Sequence, residues 1–197
     1  MPPAGSVQSS GQPGLGEFDR RHVAVFSYLW ELPFFKSGNR LVKHTLGGWQ
    51  VAGINSFQTG NPLTITTGAD VALTGVGYDR PDVVGNPNLP SDCSRNDKMA
   101  QWFNTAAFQR NAAGRYGNAG RSIVMGPGSW NWDVSFQKTF PIVSDRHRLE
   151  FRGDLFNAIN HANLSAPATT FNSTQSFGRI TSTGSARVVQ FALRYAF

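Results

Sequence analysis

Charged side chains alternate with apolar ones over a short stretch near the C-terminal end of the chain. Residues two apart on a β-strand point to the same face, so this stretch predicts a strand with one charged face. Six charged residues in segments with this alternation are candidates for such a face: Asp133, Arg148, Glu150, Arg152, Asp154 and Arg194. Such a face could line a path for a polar solute. Alternatively, its opposite charges pair in a ladder, which a wet or mutually paired site tolerates; we favour the ladder.

Sequence motifs for catalysis or metal binding are missing. No two of the four histidines have the spacing of a metal site, and no H-E-x-x-H, G-x-x-x-x-G-K or G-x-S-x-G motif occurs. The aspartates between residues 68 and 128 are too dispersed for a calcium loop. We therefore expect no enzyme, no catalytic residue, no metal site and no cofactor.

The last residues of the chain alternate strictly between large apolar and smaller or polar side chains. The large apolar positions are Val189, Phe191, Leu193, Tyr195 and Phe197. A strand with one such face is typical of a membrane barrel, where the apolar face meets lipid and aromatic side chains lie at the interface. We predict that these five residues face lipid and that they form the assembly signal of the strand.

Four more segments show the same period. With the last strand, the predicted strands are residues 20–32, 46–66, 130–140, 147–159 and 187–197. Asn61-Pro62 should bend or end the second of them. The predicted connections are a turn at 33–45, a long loop at 67–129, a short turn at 141–146 and a long loop at 160–185. This order predicts an all-β, antiparallel up-and-down meander of about five strands, a partial transmembrane β-barrel with long extracellular loops.

The long loop contains a possible helical turn at residues 101–108 and three aromatic side chains: Trp102, Phe103 and Phe108. These side chains are candidates for contact with a ligand such as a sugar or peptide. The interpretation that we favour is that they pack the loop over the barrel mouth.

Composition limits the alternatives. Only 15% of the residues are charged, against about 25% in soluble domains. No run approaches the roughly 18 apolar residues of a membrane helix. The net charge is +6, but the basic residues are scattered, so we expect no nucleic-acid partner. Residues 1–17 are rich in Gly, Pro and Ser, predict a flexible tail, and lack the features of a signal peptide. An exported chain would need its secretion signal upstream.

Several short stretches together resemble a known family. They are Leu46–Ile54, Gln101–Phe108, Gly117–Arg121, Gly126–Gly128, Trp132-Asp133, His147–Arg152, Phe156-Asn157, Asn160-His161, Phe177–Thr181 and the closing strand. In this order they resemble the C-terminal β-barrel portion of TonB-dependent outer-membrane receptors of the Oar-like type. The resemblance implies a barrel of about 22 strands, a plug domain and energy supplied through TonB.

On this resemblance we expect residues 18–197 to be the C-terminal segment of such a barrel, without the plug, and therefore a fragment. The expected function is part of active substrate uptake across the cell outer membrane in the intact protein. The expected partners are outer-membrane lipid, the barrel-assembly machinery through the C-terminal strand, TonB only through the plug region, and an unidentified substrate. The alternative function is a soluble β-sandwich that binds carbohydrate or peptide at the cell surface.

Overall fold

The computed structural model describes residues 16, 19–35, 39–75, 77–90, 92–143, 147–172 and 175–197. The predicted flexible tail at residues 1–17 therefore lies outside the described residues, except for Gly16. The chain divides into two compact units. We call the first the strand unit: Arg21–Thr59, Pro127–Ser165 and Ser182–Phe197. We call the second the loop unit: Gly60–Gly126, Ala166–Thr181 and the described residues before Arg21.

The strand unit contains one antiparallel sheet of five strands, in the order β1-β2-β7-β8-β9. The strands are β1 (Val23–Glu31), β2 (Trp49–Gln58), β7 (Ser129–Val143), β8 (His147–Phe156) and β9 (Val188–Ala196). Neighbours in the sheet are also neighbours among these strands along the chain, so the predicted up-and-down meander is confirmed. Within the described residues β1 and β9 form the two edges, and the sheet is open. A single sheet is not the β-sandwich of the alternative prediction.

The register gives the sheet two chemically different faces. One is apolar: Tyr28 of β1 pairs with Gly53 of β2, and Phe151 of β8 pairs with Leu193 of β9. The other is mainly polar: Gln50 of β2, for example, pairs with Gln137 of β7. Several residues break this separation, including Leu29 of β1 and the paired Phe156 and Val188, which lie on the polar face. Ile54 lies on the polar face opposite Asp133, and Lys138 lies on the apolar face opposite Phe151.

The connections at one end of the sheet differ in part from the prediction. The connection between β1 and β2 contains a helix, α1 (Arg40–Leu46), where the sequence predicts only a turn. The second predicted turn begins at Pro141, but β7 continues to Val143, with an irregularity in its pairing between these two residues. A proline at the end of a strand costs little because a single ladder bond is lost there. Residues 36–38 and 144–146 lie outside the described part of the chain.

The loop unit is more ordered than the predicted long loop. Its elements are β3 (Pro62–Leu63), β4 (Asp82–Val83), α2 (Arg95–Ala100), a 3-10 turn (Thr105–Ala107), β5 (Phe108–Gln109) and β6 (Val124–Met125). β3 pairs with β6, and β4 pairs with β5. The break between β2 and β3 agrees with the predicted effect of Asn61-Pro62. The 3-10 turn lies within the predicted helical turn, whereas α2 begins after the capping residue Ser94 and was not predicted.

An aromatic core holds the loop unit together. Its buried members are Ile65, Phe103, Ala107, Phe108 and Val124. Phe177 packs edge-on against Phe103 and Phe108, with ring centroids 5.1 and 6.0 Å apart. Edge-to-face pairs of this kind add to the stabilisation from burial. The predicted long loop at 67–129 is therefore an ordered unit, because side chains far apart in sequence supply a core. None of the described helices is long and apolar enough to cross a membrane.

Candidate functional site

The six predicted charged residues share the polar face of the sheet. Arg194 of β9 lies directly opposite Glu150 of β8, with Arg194 NH1 3.6 Å from Glu150 Oε2. Arg152 Nε lies 2.9 Å from Asp154 Oδ1 on the same strand. The opposite charges thus pair along and between strands, as a ladder requires. Both arginine side chains are more than half exposed, so each ion pair alone stabilises the sheet by about 1 kcal/mol at most.

A row of hydrogen-bonded side chains crosses the polar face beside these ion pairs. Gln50 Nε2 donates to Glu31 Oε1 over 3.0 Å, and Gln137 Nε2 donates to Gln50 Oε1 over 2.6 Å. Gln137 in turn pairs in register with Arg152. One row of polar groups therefore spans β1, β2, β7 and β8. Gln50, Gln137 and Arg152 of this row, together with Glu150 and Arg194, line a shallow groove on this face.

Asp133 has a different role from the other five. Its Oδ1 accepts hydrogen bonds from Asn131 Nδ2 and from the backbone N–H of Asn157, at 2.8 and 2.9 Å. Asn157 is buried, has a positive φ of 51°, and lies directly after β8. Its side chain accepts from the backbone N–H of His161 and donates to the carbonyls of His161 and Ser185. Asp133 therefore anchors the turn that ends β8.

The five predicted lipid-facing residues lie on the apolar face or continue its alternation, and all are exposed in the described structure. Phe191 covers Gly153, where a Cβ would lie 3.3 Å from the ring. Tyr195 stacks on the ring of His147 and its hydroxyl lies 2.7 Å from His147 Nδ1. Phe197 follows the end of β9 and stacks against Tyr195. The C-terminal strand thus presents a continuous apolar surface.

Lys138 is a site residue that sequence reasoning missed. It lies on the apolar face and is only 5% exposed. Its Nζ donates to the backbone carbonyl of Gly47, and it lies 5.7 Å from the ring centroid of Trp49 and 4.8 Å from that of Phe140. A carbonyl and two ring faces thereby compensate an ammonium group on an apolar surface. The signal was present in the sequence, because Lys138 has the same parity as Val134 and Phe136.

The three loop aromatics are placed in the core of the loop unit or against it. Phe103 and Phe108 are buried. Trp102 is partly buried, and its Nε1 donates to the carbonyl of Met125 over 2.7 Å. Burial leaves Phe103 and Phe108 no surface for a ligand, so these two candidates for ligand contact are excluded, and both side chains pack within the loop unit. They pack against hydrophobic side chains that are far away in sequence, such as Phe177, which lies 74 positions after Phe103.

One carboxylate of the loop unit has a perturbed acidity. The backbone N–H groups of Thr74 and Gly75 donate to the two carboxylate oxygens of Asp70, at 2.9 and 2.7 Å. These hydrogen bonds stabilise the ionised form and lower the pKa of Asp70. Among the described residues, no group of three or more His, Cys, Asp or Glu side chains lies close enough to hold a metal ion.

Comparisons with known proteins agree with this architecture. No curated protein and no solved structure matched the chain significantly. A family model described as an outer membrane beta barrel domain matches residues 3–190. This match confirms the predicted outer-membrane location. The open antiparallel meander, with one apolar and one polar face, is the geometry of part of a barrel wall. The chain therefore belongs to the outer membrane β-barrel domain family.

Proposed function

We propose that the strand unit is part of the barrel wall of a TonB-dependent receptor of the Oar-like type, which takes up substrate actively across the outer membrane. The observation that carries this proposal is the separation of the two sheet faces. The apolar face is suited to lipid, and the polar face, with its hydrogen-bonded row and ion pairs, is suited to a wet lumen. The short stretches that resemble TonB-dependent receptors occur together and in the order seen in that family. They support a TonB-dependent receptor over a simple pore.

In this proposal the groove beside Arg152 and Arg194 faces the interior. Paired charges there hold the wall in register and leave a polar surface that a solute can pass without losing all its hydrogen bonds. The strands have suitable lengths, since β1 and β9 contain nine residues and β2 and β8 contain ten. A tilted strand needs about 9 to 11 residues to cross the hydrocarbon core.

The proposed partners follow from the same arrangement. Outer-membrane lipid covers the apolar face. The barrel-assembly machinery recognises β9, whose apolar side chains continue to Phe197. TonB acts through a plug region, and the substrate enters from the side of the long connections.

An uptake experiment tests the transport proposal. Cells producing the complete gene product would be given a mixture of fluorescently labelled oligosaccharides and peptides, with periplasmic uptake measured by mass spectrometry. We expect uptake of at least one component, and we expect it to stop when a protonophore is added or TonB is deleted. Uptake that continues under both conditions indicates a passive pore and contradicts the proposal, as does no uptake by correctly assembled protein.

The role of the C-terminal strand has its own test. Deleting Phe197 from the complete gene product should reduce the heat-modifiable, membrane-assembled form on gels, because the aromatic that follows β9 and stacks on Tyr195 is lost. Truncating an exposed aromatic in the loop unit, Tyr116→Ser, is the matched control and should leave assembly unchanged. Equal assembly of the Phe197 deletion and the control would contradict the assembly role.

A further inference from the structure

The loop unit contains a groove that the transport proposal does not use. It is formed by three segments that are distant in sequence, around residues 61–66, 78–80 and 121, with Thr169 from a fourth. All of these residues belong to the loop unit. The groove has both polar and apolar walls, as small-molecule sites usually do.

Two buried polar atoms of this groove have no hydrogen-bond partner. They are Asn61 Oδ1 and Arg80 NH1, two of the three such side-chain atoms in the part of the chain that the structure describes. Leaving a buried donor or acceptor unpaired is costly, and a native protein rarely does so twice at one place. The pair consists of one acceptor and one cationic donor. Both atoms lie beneath the surface of the groove, which other parts of the same two side chains line.

Backbone hydrogen bonds hold the floor of the groove in place. The carbonyl of Asn61 accepts from Gly126 N–H over 2.8 Å, and the next residue, Pro62, is fully buried. On either side of Arg80, the carbonyl of Asp79 accepts from Thr67 and that of Pro81 accepts from Ala119. The floor of the groove is therefore preorganised, which reduces the ordering cost of binding.

The charges around the groove favour an anion. Arg80 and Arg121 both line it, and none of its lining residues carries a carboxylate. Arg121 is exposed at the rim, whereas the NH1 atom of Arg80 is buried. A carboxylate in the groove would form charge-assisted hydrogen bonds with the guanidinium groups of Arg80 and Arg121, and such bonds are strong in a partly desolvated place.

The remaining lining residues favour a hydroxyl-rich ring. Tyr78 is 79% exposed and offers a free aromatic face at the groove. Thr64, Thr66 and Thr169 add hydroxyl or backbone groups along the wall. Aromatic faces pack on the apolar faces of sugar rings, while sugar hydroxyls can form hydrogen bonds with the threonine side chains. We propose that this groove binds an acidic saccharide, with its carboxylate at Arg80 and a sugar ring against Tyr78.

The test is a direct binding measurement, which is independent of transport. The full chain in detergent micelles is titrated with an oligomer of galacturonic acid, and binding is followed by calorimetry. We expect saturable binding that weakens roughly tenfold or more in Arg80→Met, because a charge-assisted hydrogen bond is lost. Tyr78→Ser should weaken binding as well. Arg110→Met removes an exposed charge of the loop unit away from the groove and should leave the affinity unchanged.

A second variant and further ligands distinguish the possible results of this experiment. Since Arg80 is partly buried and its substitution could impair folding, Arg121→Met at the exposed rim provides the second variant and should also weaken binding. The fully methyl-esterified oligomer and a neutral galactose oligomer should bind much more weakly than the acid. Equal binding of the neutral forms would overturn the role of charge, and equal binding of inorganic phosphate would overturn the saccharide assignment. Absence of saturable binding, or unchanged affinity in Arg80→Met and Arg121→Met, would overturn the site.

Discussion

Tyr28 of β1 lies across Gly53 of β2, its directly paired residue on the apolar face. A Cβ at position 53 would overlap the Tyr28 hydroxyl and ring, so the close approach depends on the missing side chain. The Tyr28 hydroxyl accepts a hydrogen bond from Trp132 Nε1 over 3.1 Å. Trp132 lies on β7, the third strand of the sheet. The absence of a side chain at Gly53 thus allows Tyr28 to connect β1 with β7. Aromatic cover of a strand glycine is a recognised way of fixing register.

We predict that Gly53→Ala destabilises the sheet by about 1 kcal/mol, because the ring of Tyr28 must move away and leaves Trp132 Nε1 unpaired. The measurement is the unfolding midpoint of the protein in detergent, followed on heat-modifiable gels. Gly77→Ala is the control, since nothing lies within 4 Å of a Cβ at that position. If the two variants unfold at the same temperature, the contact does not fix the register.

Lys138 gives a prediction about charge on the apolar face. In Lys138→Glu, a carboxylate would face the carbonyl of Gly47 and the two aromatic rings that now surround the ammonium group. All three present negative charge, so the substitution replaces favourable contacts with repulsive ones on a face that meets lipid. We expect little or no folded protein in the membrane fraction. Lys43→Glu on the exposed side of α1 should assemble normally, and similar yields of both variants would contradict this account.

Substitution of Asn157 should destabilise the protein for two separable reasons. Its side chain makes three hydrogen bonds, and its positive φ disfavours most residues. Asn157→Ala should therefore cost about 2 to 4 kcal/mol, and Asn157→Gly about 1 to 2 kcal/mol less than that, because glycine tolerates the backbone conformation. Thermal unfolding and hydrogen exchange near the end of β8 measure both. Equal effects of the two substitutions would show that the backbone conformation contributes nothing.

The lowered pKa of Asp70 predicts that the stability of the protein depends on pH. Hydrogen bonds from Thr74 and Gly75 lower its pKa in the folded state, so the unfolded chain binds a proton more readily. The stabilising contribution is complete above the unfolded pKa of about 4 and is lost as the pH falls through the lower folded value. The unfolding temperature of the wild type should therefore drop more steeply below about pH 4 than that of Asp70→Asn. Parallel pH profiles for the two proteins would contradict the assignment.

The sequence by itself determined the strand unit almost completely. Alternation of side chains is a local property with a period of two, and it specifies both the strands and which residues share a face. For this reason the sequence predicts that the six charged residues share one face of the sheet and the terminal apolar series the other, and the register agrees. The same parity also placed Lys138 on the apolar face, although its compensation by Gly47 and two rings depends on contacts with other elements.

Only the tertiary structure decided the nature of the long connections. The core around Phe103 and Phe177 and the groove with Asn61, Arg80 and Arg121 bring together residues that are tens of positions apart. Those residues follow no period, and their burial arises from long-range packing that local sequence does not encode. The sequence therefore predicts that Phe103 and Phe108 pack but not which side chains they pack against, and it gives no signal for the groove at Arg80.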